Sequence, residues 1–120
     1  MAALEVKNCS SPDETRQLAD KGKVEVVQLG GVTVGRVTLQ PGWRWSEHVK
    51  PTVKTESCQA AHTGYVISGR LHIRMDDGTE REVGPGDAFV FPAGHDAWVV
   101  GDEPHVNIDF TGMADYAKPR

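Results

Sequence analysis

Residues 84–95 read Gly-Pro-Gly-Asp-Ala-Phe-Val-Phe-Pro-Ala-Gly-His, and this stretch constrains the fold more than any other part of the sequence. Its first three residues favour a tight reversal, because proline fixes φ and glycine tolerates a positive φ. Ala88 to Phe91 is an apolar run of strand length. Pro92 and Gly94 then stop the strand and turn the chain back. The stretch therefore predicts a short apolar strand between two sharp turns.

The composition is that of one small globular domain. The chain has 120 residues, which is long enough to bury a core without disulfide or metal staples. The net charge is −4 and no basic stripe is present, which argues against nucleic acid or an anionic membrane as a partner. The apolar runs are too short to span a bilayer and no secretion signal is visible, so we expect a cytoplasmic protein. Cys9 and Cys58 should then be thiols, and a disulfide between them is the less favoured alternative.

The arrangement of elements predicts an all-β chain with a single helix. Ser11 fits an N-cap and Pro12 the first helical position, which predicts a short helix over about residues 12–20. The Asp77-Gly78 pair is the strongest hairpin signal in the chain. Turns at regular spacing separate the remaining segments, as in a β-sandwich or barrel. The predicted strands are 24–29, 31–39, 43–49, 65–68, 70–75, 79–83, 89–91, 97–100 and 106–110.

The opening stretch resembles the second conserved motif of the cupin superfamily, G-x5-P-x-G-x2-H. Gly86, Pro92 and Gly94 match that motif with the correct spacing. The histidine position of the motif, usually a metal ligand, holds Ala97, and His95 stands two residues earlier. The resemblance therefore supports the fold while implying an altered set of ligands.

The resemblance covers roughly residues 31–110 and identifies residues 1–120 as a single cupin domain of the small bacterial, RmlC-like type. It implies a double-stranded β-helix, which is a jelly-roll barrel with a small pocket at its mouth, together with the short N-terminal helix. It also implies a homodimer, because small bacterial cupins commonly form dimers.

The first cupin motif, G-x5-H-x-H-x3-4-E-x6-G, fits the sequence in two registers. Counting forward from Gly42 places His48 in the first histidine position. Counting back from the last glycine of the motif places His62 in the glutamate position and Cys58 in the second histidine position. The two registers disagree because residues 49–57 contain extra sequence, and we interpret residues 50–56 as an exposed loop at the mouth of the barrel.

This alignment predicts a metal site formed by four side chains. The predicted ligands are His48, Cys58, His62 and His95. Histidine and cysteine together suit a divalent transition metal, with zinc as the first choice and iron or nickel as alternatives. Three protein ligands and one open position would make a catalytic centre, whereas four ligands would make a structural one.

Two further residues are candidates for contact with a ligand or cofactor, namely Arg44 and Tyr65. If residues 43–49 form a strand, Arg44 shares the face of His48 and can meet a carboxylate or phosphate. On the same assumption, Trp43 and Trp45 point out of the barrel and serve packing in the core or a dimer. His72 alternates with two arginines and should be solvated, and His105 has no motif support.

Three functions remain open from the sequence, and only some of them are enzymatic. The first is a metal-dependent isomerase, lyase or dioxygenase acting on a small polar or aromatic substrate. The second is a non-catalytic cupin that binds or senses a small ligand without metal, which the missing histidine at Ala97 favours. The third is a metal-free barrel in which His62 activates Cys58 as a nucleophile.

Overall fold

Two antiparallel β-sheets pack face to face in the structure, a computed structural model that describes residues 3–111. Within these residues the chain forms nine strands and two helices of four residues each. In chain order they are β1 (Glu14–Gln17), β2 (Gly22–Leu29), β3 (Val32–Leu39), α1 (Trp45–His48), α2 (Lys50–Val53), β4 (His62–Ser68), β5 (Arg70–Met75), β6 (Glu80–Val83), β7 (Ala88–Phe91), β8 (His95–Val100) and β9 (His105–Asp109).

The connections between the strands are those of a jelly roll. The larger sheet has the order β1-β2-β3-β9-β4-β7, and the smaller has the order β6-β5-β8. Strand β9 therefore lies between β3 and β4, both of which are distant from it in sequence. Buried apolar side chains from both sheets fill the space between them. The prediction of an all-β, double-stranded β-helix is confirmed.

The turns around residues 84–95 form as the sequence predicts. Gly86 and Gly94 have φ angles of 90° and 91°, a region that favours glycine. Between them runs β7, whose Phe89 and Phe91 side chains are buried and stack with ring centroids 4.2 Å apart. The Asp77-Gly78 turn joins β5 to β6, so the predicted hairpin is also confirmed.

The predicted helix over residues 12–20 is wrong, because residues 14–17 form strand β1. Glu14 pairs with Val26 and the strand runs antiparallel to β2. The Asp13 carboxylate accepts a hydrogen bond from the Gln28 backbone N–H at 2.8 Å instead of capping a helix. Arg16 is buried beside β2, and pairing with that strand outweighs the local helix signals.

The predicted strand over residues 43–49 is also wrong, because residues 45–48 form α1. Side chains on a helical turn do not alternate between two faces, so the assignment of Trp43 and Trp45 to an outward face fails. Both tryptophans are buried in the core, as the packing interpretation expected. The predicted loop 50–56 begins with α2 and is largely exposed after it. In the described residues, no helix is long and apolar enough to cross a membrane.

Candidate metal centre in the barrel

Three of the four predicted ligands meet inside the barrel. They are Cys58, His62 and His95, whose exposed fractions are 3%, 6% and 3%. One ligand atom from each lies within 4.8 Å of the others. A single ion between them would need only a small inward movement of the side chains, because zinc binds sulfur at about 2.3 Å and nitrogen at about 2.0 Å.

The backbone holds Cys58 directly beside His95. The Cys58 N–H donates to the His95 carbonyl at 2.7 Å, and the two residues form an isolated β-bridge. The Gly94 N–H donates to the Cys58 carbonyl at 2.7 Å. The turn at the end of the opening stretch therefore fixes one thiol and one imidazole at the same point of the barrel.

Each imidazole has its Nδ1 atom fixed by an acceptor. His95 Nδ1 lies 2.8 Å from the Pro92 carbonyl, so it carries a proton and leaves the Nε2 lone pair available. His62 Nδ1 donates to the Asp109 Oδ2 atom at 2.5 Å. His62 Nε2 in turn lies 3.7 Å from the Cys58 Sγ atom. This carboxylate–histidine arrangement is one that metal-binding histidines commonly make with their surroundings.

The electrostatics of the cluster favour a thiolate. Burial raises the pKa of the Cys58 thiol, but hydrogen bonds with His62 and His95 outweigh burial and lower the pKa to about 6. Burial lowers the pKa of His62, but hydrogen bonds with Asp109 and Cys58 outweigh it and raise the pKa to about 9. A thiolate is the form that binds transition metals or attacks an electrophile.

Asp109 is the residue beside the cluster that the sequence reasoning did not select. The strand predicted over residues 106–110 came with no assignment of its faces. The structure places the polar members of β9 inside, with His105, Asn107 and Asp109 all buried. A sequence signal for this orientation exists, because three polar residues alternate with apolar ones along the strand. In a barrel with a polar site inside, the polar face of such a strand can point inward.

The structure places the fourth predicted ligand, His48, outside the cluster. It lies at the end of α1, where its Nδ1 atom is 3.0 Å from the Arg44 backbone nitrogen. The helical turn directs the imidazole back onto the backbone of the same turn. The predicted strand over residues 43–49 would have pointed it into the barrel. The two registers of the first motif thus resolve in favour of Cys58 and His62.

The structure also places both predicted ligand-contacting residues away from the cluster. The Arg44 guanidinium lies 4.1 Å above the Trp98 ring, a cation–π contact. Tyr65 is 45% exposed, because it points to the opposite face of β4 from His62. His72 is half-buried rather than solvated, and it stacks on Trp98 with centroids 4.7 Å apart.

A small cavity of about 40 Å³ adjoins the cluster. His62, His95 and Asp109 form part of its wall together with Asn107 and Trp43. A larger groove of about 600 Å³ runs between β6 and β7, but none of the cluster residues lines it. The cluster is therefore a candidate site because of its chemistry and not because of the size of its cavity.

The donor set fits a divalent transition metal. A thiolate and two imidazoles are borderline-soft ligands that suit zinc and other late first-row metals, while Mg²⁺ and Ca²⁺ prefer oxygen. The described residues bring together three such ligands, which leaves a coordination position open. An open position is the feature that separates catalytic from structural zinc sites.

Comparison with known proteins agrees with this architecture. No curated protein matches the chain. Among solved structures, an RmlC-like cupin from Shewanella frigidimarina NCIMB 400 is 16% identical with a TM-score of 0.62, over 92% of this chain and 93% of that chain. KdgF from Halomonas sp. is 20% identical with a TM-score of 0.57, over 82% and 86% of the two chains.

AerE from Microcystis aeruginosa is 17% identical with a TM-score of 0.62, and the match covers 83% of this chain but 45% of AerE. Likeness at this level of identity concerns the fold alone. The family model described as "Cupin domain" matches residues 35–109, which is more than half of the chain and includes Cys58, His62 and His95. The chain therefore belongs to the cupin family.

Proposed function

We propose that the protein is a metal-dependent cupin enzyme that acts on a small molecule, with its metal held by Cys58, His62 and His95. The observation that carries the proposal is the orientation of the two imidazoles. Both have Nδ1 bound to an acceptor, so both present Nε2 as a ligand beside the thiol. Bound zinc would supply a Lewis acid for an isomerase or lyase reaction, and bound iron would supply dioxygen chemistry for a dioxygenase.

The residues of the chain itself prepare this site. Asp109 keeps a proton on His62 Nδ1 and is itself buried, so the His62 ring is held in one orientation. The Pro92 carbonyl does the same for His95. The apolar side chains Leu39, Leu71 and Phe91 line the cavity beside them and limit the access of water to the cluster.

Metal analysis tests the proposal directly. Protein purified without an affinity tag should contain about one transition metal ion per chain, since one such cluster occurs in the described residues. Cobalt added to the metal-free protein should give a thiolate-to-cobalt absorption band. The band should disappear in Cys58→Ser, and cobalt affinity should fall strongly in His62→Ala.

His72→Ala is the matched control, because His72 stacks on Trp98 away from the cluster. It should bind cobalt like the wild type. Equal cobalt binding by the wild type and by the Cys58→Ala, His62→Ala double variant would refute the metal site.

A second function has support from the same cluster, namely a metal-free cysteine nucleophile. The Cys58 Sγ atom lies 3.7 Å from His62 Nε2, and His62 Nδ1 donates to Asp109. Cysteine hydrolases and transferases use the same order of contacts, in which a carboxylate orients a base and the base contacts the nucleophile. Metal-free protein whose Cys58 is alkylated rapidly would favour this reading. Metal-free protein with an unreactive Cys58 would favour the small-ligand binding or sensing module.

We also propose that the protein forms a homodimer through the outer face of the larger sheet. Tyr65, Ile67, Val90 and Phe110 are all exposed on this face, and apolar patches of this kind commonly mark contact surfaces. Sedimentation analysis should give a dimer for the wild type and a monomer for an Ile67→Lys, Val90→Lys variant. A monomeric wild type would contradict the proposal.

A further inference from the structure

Strand β9 carries a buried polar row into the barrel, and only part of this row belongs to the cluster. Asp109 bonds His62, whereas Asn107 and His105 lie deeper along the same strand face. Asn107 is 5% exposed and His105 is fully buried. Polar side chains at such depth normally have partners for each of their hydrogen-bonding atoms.

The Asn107 carboxamide bonds the His105 ring inside the barrel. Burial lowers the pKa of His105 to about 4, so its ring is neutral and carries one proton. The Asn107 Nδ2–H group can only donate, so His105 Nε2, 2.9 Å away, accepts from it. The ring proton is therefore on Nδ1, which is buried and has no hydrogen-bond partner. This arrangement leaves the Asn107 Oδ1 atom as a buried acceptor without a hydrogen-bond partner.

A buried donor without a partner lines the same cavity. Trp43 and Asn107 both belong to the wall of the 40 Å³ cavity beside the cluster. The Trp43 Nε1 atom is buried and has no hydrogen-bond partner. The two residues that carry the unused donor and the unused acceptor thus line one small space. The rest of its wall is the cluster on one side and apolar side chains such as Val37, Leu39 and Phe89.

We propose that this cavity is a binding subsite for the hydroxyl group of a small substrate. A hydroxyl oxygen can accept a hydrogen bond from Trp43 Nε1–H while its proton is donated to Asn107 Oδ1. A carboxylate or a ketone lacks the proton for Asn107, and an ammonium group lacks the acceptor for Trp43. Of these four groups, the hydroxyl alone matches both unused atoms at once.

The size and surroundings of the cavity narrow the substrate class further. A space of about 40 Å³ admits a short, unbranched end of a molecule, and its apolar walls favour a hydrocarbon segment behind the hydroxyl. The other end of the molecule would reach the cluster, where a metal favours an oxygen anion. The inferred substrate is thus a short hydroxy acid, an assignment that rests on the metal-dependent function proposed above.

Ordered water is the competing occupant. A cavity of this size has room for about three water molecules, and water also offers donors and acceptors to both atoms. Water and a hydroxy acid differ in one measurable respect. If the cavity binds the hydroxyl of a substrate, a compound that carries this hydroxyl should bind more tightly than the same compound without it. If the cavity holds only water, the two compounds should bind equally.

The test uses 3-hydroxypropanoate and propanoate, which differ by that one hydroxyl group. The full chain is labelled with nitrogen-15, and the indole N–H signal of Trp43 is identified by its loss in Trp43→Phe. Titration with 3-hydroxypropanoate should shift this signal in a saturable way. It should bind at least about tenfold more tightly than propanoate, because an analogue without the hydroxyl leaves buried groups unpaired.

Asn107→Leu removes the acceptor at nearly the same volume and should bring the two affinities within about threefold of each other. If this variant does not fold, the comparison of the two probes on the wild type decides alone. Equal binding of both probes, or a Trp43 signal that neither probe shifts, overturns the proposal and assigns the cavity to water.

The titration is done before and after loading with Zn²⁺, so that the two proposals fail separately. If the protein selects the hydroxyl but does not bind zinc, the subsite proposal is supported and the metal-dependent function is refuted. If the protein binds zinc but does not select the hydroxyl, the metal-dependent function is supported and the subsite proposal is refuted.

Discussion

His62 Nδ1 and Asp109 Oδ2 lie 2.5 Å apart across the paired strands β4 and β9. Asp109 stands opposite Gly64 in the strand register, and His62 is two residues from Gly64 on the same inward face. The contact is thus a diagonal cross-strand pair. Through it, strand β9 orients a side chain of the candidate metal centre.

Asp109 should therefore act on the site through His62. Asp109→Asn should weaken zinc binding by roughly tenfold to a hundredfold, because partners that orient a ligating histidine typically contribute that much to affinity. Competition titration against a chromophoric chelator measures the change. Asp102→Asn, in an exposed turn, is the matched control and should bind zinc normally. Unchanged affinity in Asp109→Asn would remove this positioning role.

The pKa shifts at the cluster predict a specific pH range for the metal-free protein. The pKa of Cys58 is lowered from 9.0 to about 6, so its stabilising contribution is complete above pH 9.0 and is lost as the pH falls through 6. The pKa of His62 is raised from 6.5 to about 9, so its contribution is complete below pH 6.5 and is lost as the pH rises through 9. The Cys58 thiolate and the His62 imidazolium are therefore both charged, as an ion pair, between about pH 6 and pH 9.

The ultraviolet absorbance of the thiolate in a Cys9→Ser background should titrate with a midpoint near pH 6. His62→Gln should move that midpoint upward, because it removes the largest favourable partner of the thiolate. A midpoint near 9 in both proteins would contradict the ion pair.

The sequence predicted those parts of the fold that depend on local chemistry. The turns at Gly86 and Gly94 follow from backbone geometry, and a match to a family motif placed them in the right architecture. The register of the first motif selected Cys58 and His62 without showing how they meet. Cys58 lies outside β4 and reaches the cluster through its bridge to His95.

The remaining features depend on long-range pairing, which local patterns do not encode. Strand β1 exists because β2 is beside it, although Ser11 and Pro12 favour a helix start. Asp109 reaches His62 because β9 turns its polar face inward, an orientation that depends on the packing of the whole barrel. The prediction of His48 as a ligand depended on a strand over residues 43–49. The structure has a helical turn there, and this turn places His48 outside the cluster.

Arg44 should contribute to stability and not to metal binding. Its guanidinium stacks on the half-buried Trp98 ring, a contact that typically contributes about 0.5–1 kcal/mol. Arg44→Ala should lower the free energy of unfolding by about that amount and leave zinc affinity unchanged. Arg74→Ala, at an exposed position of β5, should change neither quantity. Urea denaturation and zinc titration measure the two effects, and a large loss of zinc affinity in Arg44→Ala would restore its role at the site.

Gly64 should tolerate a side chain poorly, although its φ angle suits any residue. An added Cβ atom would collide with the Ile108 carbonyl oxygen and the Phe89 ring, both of which are fixed parts of the sheet and core. Relief would require β4 to move away from β9, which would also separate His62 from Asp109. Gly64→Ala should therefore destabilise the protein by about 1–3 kcal/mol, as overpacking in a core does, and should weaken zinc binding as well.

Gly84→Ala provides the matched control for this prediction. Neither Gly64 nor Gly84 has a positive φ, so the two substitutions differ in their surroundings rather than in backbone strain. The new Cβ at position 84 would meet only the guanidinium of the exposed Arg70, a flexible group that can swing aside. We expect a cost within about 0.5 kcal/mol and normal zinc affinity, measured by urea denaturation and zinc titration. Equal losses in the two variants would mean that the close contact of β4 with β9 does not limit the site.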